Sequence, residues 1–309
     1  MIAAAIDIGT NSVLLTVGER APGGEIHILD DRSEITRLGQ GVDHDRLLRP
    51  EAMARTAAAV AEFAERARRL GAAVVRAVGT SAARDARNTE AFARLLRERA
   101  GLALEVLSGE EEARLSYQAV RGDASLGLPP GDLIVVDIGG GSAEFIHGDE
   151  AAIRFRASID CGAVRTTERF FADDPPTPAQ MAAAAAWLDA RLGALPDLPA
   201  GAPLVGIGGT FVNLAGVRLA LPEFQPGRLH GLLLDRGAVE RQIARFASMP
   251  TEARRGIPGL EPKRADIILA GALLLGRILE RRRADVIRVS VRGLRYGVLF
   301  EMMAGEAPA

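Results

Sequence analysis

One pattern occurs twice in this chain and limits the fold more than any other feature. Ile6-Asp7-Ile8-Gly9-Thr10-Asn11-Ser12-Val13-Leu14-Leu15 is followed, 130 residues on, by Val136-Asp137-Ile138-Gly139-Gly140-Gly141-Ser142-Ala143-Glu144-Phe145. The offset aligns Asp7 with Asp137, Gly9 with Gly139 and Ser12 with Ser142. Each copy is an apolar run, read as a buried strand, that ends at an acid and then a glycine turn. A turn without Cβ atoms lets backbone N–H groups point at an anion, and the acid at the strand's end can hold a cation beside it. A single Asp-x-Gly or Gly-Gly-Gly would read as an ordinary hairpin turn. The second copy, with its own apolar strand before and hydroxyl residue after, favours an internal duplication. The expectation is two similar domains, each presenting a phosphate-grasping loop to a shared cleft.

The 309 residues suffice for two domains of ordinary size, and 48% hydrophobic with 25% charged residues marks a globular chain. A net charge of −2 exerts no overall pull toward nucleic acid or membrane, and neither is expected as a partner. No apolar run reaches about 18 residues, and the N-terminus enters a strand directly, so the expected location is cytoplasmic. Cys161 is the only cysteine, which excludes an internal disulfide and a zinc-thiolate site; its apolar neighbours make it a buried small hydrophobe. His27, His44, His147 and His230 lack the spacing of a helical metal site. The sole lysine, Lys263, follows Pro262 instead of a glycine loop, so a Walker A loop is absent. Any grip on phosphate must come from backbone amides, hydroxyls, arginine and metal.

Residues 1–40 read as a meander of four strands, at 2–8, 13–19, 25–29 and 33–37. Helices over 51–70 and 90–100 then alternate with strands at 73–78 and 102–107, the pattern of an α/β layered domain. Ser108 and Glu111 match a capping box at the head of the next helix, where acids suit the helix dipole. A third acid, Glu112, exceeds what capping needs. The Gly127-Leu128-Pro129-Pro130-Gly131 linker sets the expected boundary: one domain over 1–125, a second over 126–295, and a final helix near 296–309 that packs back on the first. The second domain repeats the meander at 132–137, 143–148 and 151–159, then helices at 162–171 and 180–192, with Trp187 read as core. A strand–Gly208-Gly209-Thr210–helix unit makes a third candidate anion loop, with Thr210 expected at the N-cap.

Three glycine loops and carboxylates without a P-loop suggest an α/β fold of duplicated ribonuclease H-like domains with an interdomain cleft. This is the actin, sugar-kinase and Hsp70-like class, which the duplicated meander resembles. The match sharpens with Asp7-Ile-Gly-Thr-Asn-Ser12, Gly79-Thr80…Arg84…Asn88, Ser108-Gly-Glu-Glu-Glu-Ala113-Arg114, Asp137-Ile-Gly-Gly-Gly-Ser-Ala-Glu144 and Gly206-Ile-Gly-Gly-Thr210. With Gly162-Ala-Val-Arg165, Leu229-His-Gly231 and Arg264-Ala-Asp-Ile-Ile268, they resemble, in order, the exopolyphosphatase/guanosine-pentaphosphate phosphatase (Ppx/GppA) family in a short two-domain form.

That resemblance implies that Glu112 is the base that activates water and that Arg84 contacts the terminal phosphoryl group. It implies that Asp137 and Glu144, with Asp7, hold Mg²⁺ (or Mn²⁺). Thr10, Asn11, Ser12, Gly139, Gly140, Gly141 and Ser142, and the Gly208, Gly209 and Thr210 loop, would cradle phosphates. The implied activity is exopolyphosphatase, releasing terminal orthophosphate from inorganic polyphosphate, with guanosine pentaphosphate as the alternative substrate. Departures from the family pattern at Thr10, Cys161, Val212, Asn213, Val291 and Tyr296 bear on nucleotide recognition and leave the phosphate loops in place. Eight arginines from Arg264 to Arg295 make the C-terminal region basic, a candidate polyanion track, although such runs are usually solvated helix ends. An actin-like kinase and a non-catalytic nucleotide-binding module are the alternatives of another class; the kinase would need an acceptor site and usually an aspartate base, and no such motif is found. A homodimer is the default expectation for assembly.

Overall fold

Alternation along the first strand decides the layering of the first unit. The computed structural model describes residues 1–304. The first unit comprises Met1–Ala119 and the C-terminal helix. It contains β1 (Ile2–Ile8), β2 (Ser12–Arg20), β3 (Ile26–Ile35), α1 (Val42–Asp45), α2 (Pro50–Arg69), β4 (Val74–Gly79), α3 (Ser81–Asp85), α4 (Thr89–Ala100), β5 (Leu104–Val106) and α5 (Gly109–Arg121). Its sheet has the order β3-β2-β1-β4-β5; the meander β1–β3 is antiparallel, and β4 and β5 run parallel to β1. Because side chains alternate along a strand, Ala4, Ile6 and Ile8 pack with Val60, Phe63 and Phe92 of α2 and α4. Ala3 and Ala5 pack instead with Leu115 of α5 and with the C-terminal helix. Asp7 continues this second face, which brings it toward α5.

The two strands expected at 25–29 and 33–37 are a single strand, β3. Asp30, Asp31 and Arg32 look like a break in the sequence, yet they pair in register with Val17, Thr16 and Leu15. Partners elsewhere neutralise the acids: Arg32 and Arg66 bind Asp30, while Arg295 and the Tyr296 hydroxyl, at 2.6 Å, bind Asp31. Charged residues are tolerated on this edge strand because helices supply their counter-charges.

The second unit, Val120–Arg292, takes the last two residues of α5. It contains β6 (Leu133–Ile138), β7 (Ala143–Gly148), β8 (Ile153–Ile159), α6 (Ala163–Phe170), α7 (Pro178–Gly193), β9 (Leu204–Ile207), α8 (Gly209–Leu219), α9 (Pro226–Leu229), β10 (Leu233–Asp235), α10 (Arg236–Ala247), α11 (Thr251–Arg254), α12 (Ile268–Arg282) and β11 (Val286–Val289). Its sheet runs β10-β11-β9-β6-β7-β8, with the same antiparallel meander, and with β9 and β11 parallel to β6. The short edge strand β10 was not anticipated.

The 130-residue offset is kept in the hydrogen-bond register. Asp7 faces Leu14, and Asp137 faces Glu144. The Gly9 N–H donates to the Ser12 carbonyl at 2.9 Å, and the Gly139 N–H to the Ser142 carbonyl at 3.0 Å. Asp7 pairs with Val78 as Asp137 pairs with Ile207, so Gly79-Thr80-Ser81 is the counterpart of Gly208-Gly209-Thr210. The duplicated ribonuclease H-like α/β topology is therefore present in both units.

The closing helix, α13 (Leu294–Ala304), belongs to the first unit. Gly297 lets it approach α5: a Cβ there would lie 2.1 Å from the Leu115 carbonyl oxygen. Glu301 binds Arg76 and Arg114 at 2.5 Å each. Residues 305–309 of the expected final helix lie outside the described residues. Among the described residues, no helix is long and apolar enough to cross a membrane.

Candidate active site

The head of α5 separates its three acids by role. Ser108 and Glu111 form the expected capping box: the Ser108 N–H donates to Glu111 Oε2 and the Glu111 N–H to Ser108 Oγ, both at 3.2 Å. Glu110 and Glu111 are exposed, whereas Glu112 is buried on the same helix face as Leu115, Ser116 and Ala119. Glu112 Oε2 accepts a hydrogen bond from Arg84 Nη1 at 2.5 Å, and that nitrogen also donates to the Leu107 carbonyl at 3.1 Å. α3 carries Arg84 directly after β4, which is how a residue 28 positions away in sequence meets Glu112.

Burial pushes the Glu112 carboxyl above its ordinary range; Arg84 opposes the rise and the nearby charge of Asp7 adds to it. Burial likewise raises Asp7 to about 7, against the pull of Arg295. Asp7 Oδ1 is buried and accepts no hydrogen bond. The first unit thus brings together two buried carboxyl groups of raised pKa and one arginine. Its glycine loop is held from behind. The Thr10 carbonyl accepts from Gly39 N–H at 2.8 Å, and the Asn11 carbonyl from Thr36 and Arg37 N–H at 3.1 and 2.9 Å. Thr10, Asn11 and Ser12 are all buried, and Asn11 Nδ2 lies 3.4 Å from Ser12 Oγ.

In the second unit the glycine loop leans on α6. The N–H groups of Gly162, Ala163 and Val164 donate to the carbonyls of Gly141, Gly139 and Gly140 at 3.1, 2.9 and 2.9 Å. Arg165 Nε donates to the Gly141 carbonyl at 2.8 Å. With the carbonyls committed to α6, the loop has a fixed shape. Gly162 is required for it, because a Cβ there would stand 2.4 Å from the Gly140 oxygen. Glu144 is buried beside Asp137 across the strand pair, and its Oε1 accepts from Ser142 Oγ at 2.6 Å and Ser158 Oγ at 2.7 Å.

The third loop abuts the same acid. Gly208 has φ +90, and a Cβ on it would lie 2.5 Å from Asp137 Oδ1, so glycine alone leaves that oxygen its room. Thr210 is not the N-cap: Gly208 takes that position, and the Thr210 hydroxyl donates to the Ile138 carbonyl at 3.3 Å. The sequence favoured the hydroxyl residue, but the strand ends at Ile207 and the helix begins directly after Gly208, two residues too early for Thr210 to cap it. The guanidinium of Arg264 lies against Gly209, and burial lowers its pKa to about 10. Sequence reasoning named Gly162, Arg165 and Arg264 only as motif residues, Arg264 also within the basic C-terminal run, and missed Ser158, which enters only because β8 pairs it with Glu144. Cys161 is buried as expected, its thiol pushed up to about 12 by burial. Among the described residues, no three His, Cys, Asp or Glu side chains are spaced to hold a metal on their own.

Residues 16–306 match the model of the Ppx/GppA phosphatase family. The chain is 33% identical to Exopolyphosphatase 2 of Mycobacterium tuberculosis, over 97% of its own length and 98% of that protein's. It is 30% identical to the Guanosine-5'-triphosphate,3'-diphosphate pyrophosphatase of Photobacterium profundum, over 97% of its own length and 59% of that protein's. The solved Aquifex aeolicus PPX-GPPA enzyme superposes with a TM-score of 0.81 at 34% identity, covering 97% of this chain and 99% of that one.

Proposed function

This chain belongs to the Ppx/GppA phosphatase family and hydrolyses phosphoanhydrides, and from that premise we propose that it releases terminal orthophosphate from inorganic polyphosphate. Water attacks the terminal phosphorus in line with the bridging oxygen. A bond from the water oxygen to phosphorus forms as the bridging P–O bond breaks, and the water proton passes to Glu112. The shortened chain leaves with the electron pair. The observation that carries this reading is the buried Glu112–Arg84 pair beside Asp7. Burial makes this carboxylate a stronger base than an ordinary glutamate, while the one arginine favours its ionised form. When the phosphoryl oxygens engage Arg84, its hold on Glu112 weakens and the base strengthens. In the first unit the loop amides and the Ser12 hydroxyl are assigned to phosphate oxygens, and in the second unit the loop amides and the Ser142 hydroxyl.

The donor set suits Mg²⁺, which prefers carboxylate oxygens and keeps several waters, so it needs no cage of protein ligands. Each unit offers a carboxylate that could hold it: Asp7 in the first, with a buried oxygen lacking a hydrogen bond, and Asp137 in the second, whose oxygen occupies the space of the Gly208 side chain. Glu144 is assigned a supporting role through Ser142 and Ser158. Bound Mg²⁺ supplies positive charge toward the phosphate oxygens.

Guanosine pentaphosphate is the second reading, favoured by the name of the Photobacterium relative. Orthophosphate release from polyphosphates of graded length, against guanosine pentaphosphate, separates the two. Higher kcat/KM on polyphosphate is expected; higher kcat/KM on the nucleotide would reverse the assignment.

A further inference from the structure

The C-terminal arginines, the track suggested by sequence, are mostly spoken for. Arg277 binds Asp189 at 2.6 Å, Arg281 and Arg282 bind the carbonyls of Leu195 and Leu198 at 2.8 and 2.9 Å, and Arg292 binds Asp123 at 3.1 Å. A different set is free of such ties. Arg169 and Arg191 are exposed, and among the described residues neither makes an ion pair. Each lies instead against Trp187, with guanidinium carbons 5.4 and 5.2 Å from its ring centroid.

Arg165 stands one helical turn before Arg169 and is tied to the Gly141 carbonyl at 2.8 Å. Burial lowers the Arg165 pKa, and the charges of Arg191 and Arg169 lower it further. Asp160, 3.7 Å from Arg165, and Glu168 offset part of that charge. Two like charges on one ring, both without counter-ions and with a third arginine one helical turn from Arg169, are an arrangement that an anion would stabilise.

We propose that Arg169 and Arg191, set against Trp187, and Arg165, one helical turn before Arg169 and bound to the Gly141 carbonyl, form a track for the inner phosphates of a linear polyphosphate, leading away from the Gly139–Ser142 loop. The track rests on the phosphohydrolase reading above and names the part of the substrate that α6 and α7 receive. A guanine base is a poorer fit, because two guanidinium groups and Phe170, 5.3 Å from Trp187 between centroids, already lie against the indole. The ring serves as a support for charge.

The test compares the intact chain with the Arg169→Gln/Arg191→Gln double variant and its Lys/Lys counterpart. Equilibrium binding of end-labelled long-chain polyphosphate is measured alongside kcat and KM for long-chain polyphosphate, tripolyphosphate and guanosine pentaphosphate. For the Gln pair, Kd and KM for the long chain should rise about tenfold, the scale of a lost charged contact. Its kcat and its tripolyphosphate KM should stay unchanged, and the Lys pair should recover most of the binding. An unchanged long-chain Kd, a parallel rise for tripolyphosphate, or a rise confined to guanosine pentaphosphate would overturn the track. Parent protein that binds polyphosphate without turning it over would sink the proposed reaction and leave the track to be judged on the binding ratio. Parent protein that binds no polyphosphate would sink the track itself.

Discussion

Burial disfavours a charge on Asp7, and both it and Glu112 carry a prediction. Its folded pKa of about 7 exceeds the ordinary 3.8, so between those values the folded chain keeps a proton that the unfolded chain has lost. Stability therefore falls as pH rises through that window. Without metal, Asp7→Asn should melt above the parent at pH 8, and the gap should shrink toward pH 4. Added Mg²⁺ should raise the parent's melting temperature and leave the variant's unchanged. Equal melting at pH 8 would contradict the raised pKa of Asp7, and an equal response to Mg²⁺ would remove Asp7 from the proposed cation site. For Glu112 the sign concerns catalysis: a base must be ionised, so kcat/KM should decline on acidification with a midpoint above the 4.5 of an ordinary glutamate. A pH–rate profile with no such limb would exclude it. The sequence set Glu112 apart from its neighbours because three acids follow Ser108 and a cap uses only one of them; its burial against Arg84 is what the fold adds. Thr210 misled, because a hydroxyl beside Gly-Gly looks like a cap until the end of the preceding strand is known.

At the scale of elements, glycines set the distances on which the loops depend. Gly162→Ala would drive a Cβ into the Gly140 carbonyl at 2.4 Å, backbone against backbone, with no side chain able to yield. We expect a loss of about 1–3 kcal/mol in stability, typical of overpacking, with reduced kcat/KM. Gly193→Ala, at the end of α7 where a Cβ meets nothing within 4 Å, should be neutral or stabilise by up to about 1 kcal/mol. Thermal melts and phosphate release on both variants check the contrast; similar behaviour would show that α6 does not shape the loop. The carbonyl contacts that join α6 to the loop were invisible in the sequence, since they pair Gly139–Gly141 with residues more than 20 positions later. The split expected in β3 failed for a related reason, as Arg66 and Arg295 neutralise its acids from α2 and α13.

For the whole molecule, the duplication was legible because the same residue types recur at one offset, and the register keeps that offset in both sheets. Family order of the motifs added the reaction class. The arginine track was not legible: Arg169 and Arg191 lie 22 residues apart, and only the packing of α6 on α7 sets both against Trp187. The most direct test of the account is orthophosphate release from long-chain polyphosphate by the parent, Glu112→Gln and Glu111→Gln proteins, with polyphosphate binding measured for each. The account predicts that Glu112→Gln binds like the parent and releases phosphate at least about a hundredfold more slowly, the usual loss for a general base. Glu111→Gln, which keeps a capping side chain, should retain the parent's rate. Near-parental release by Glu112→Gln, or an equal loss in both variants, would contradict it.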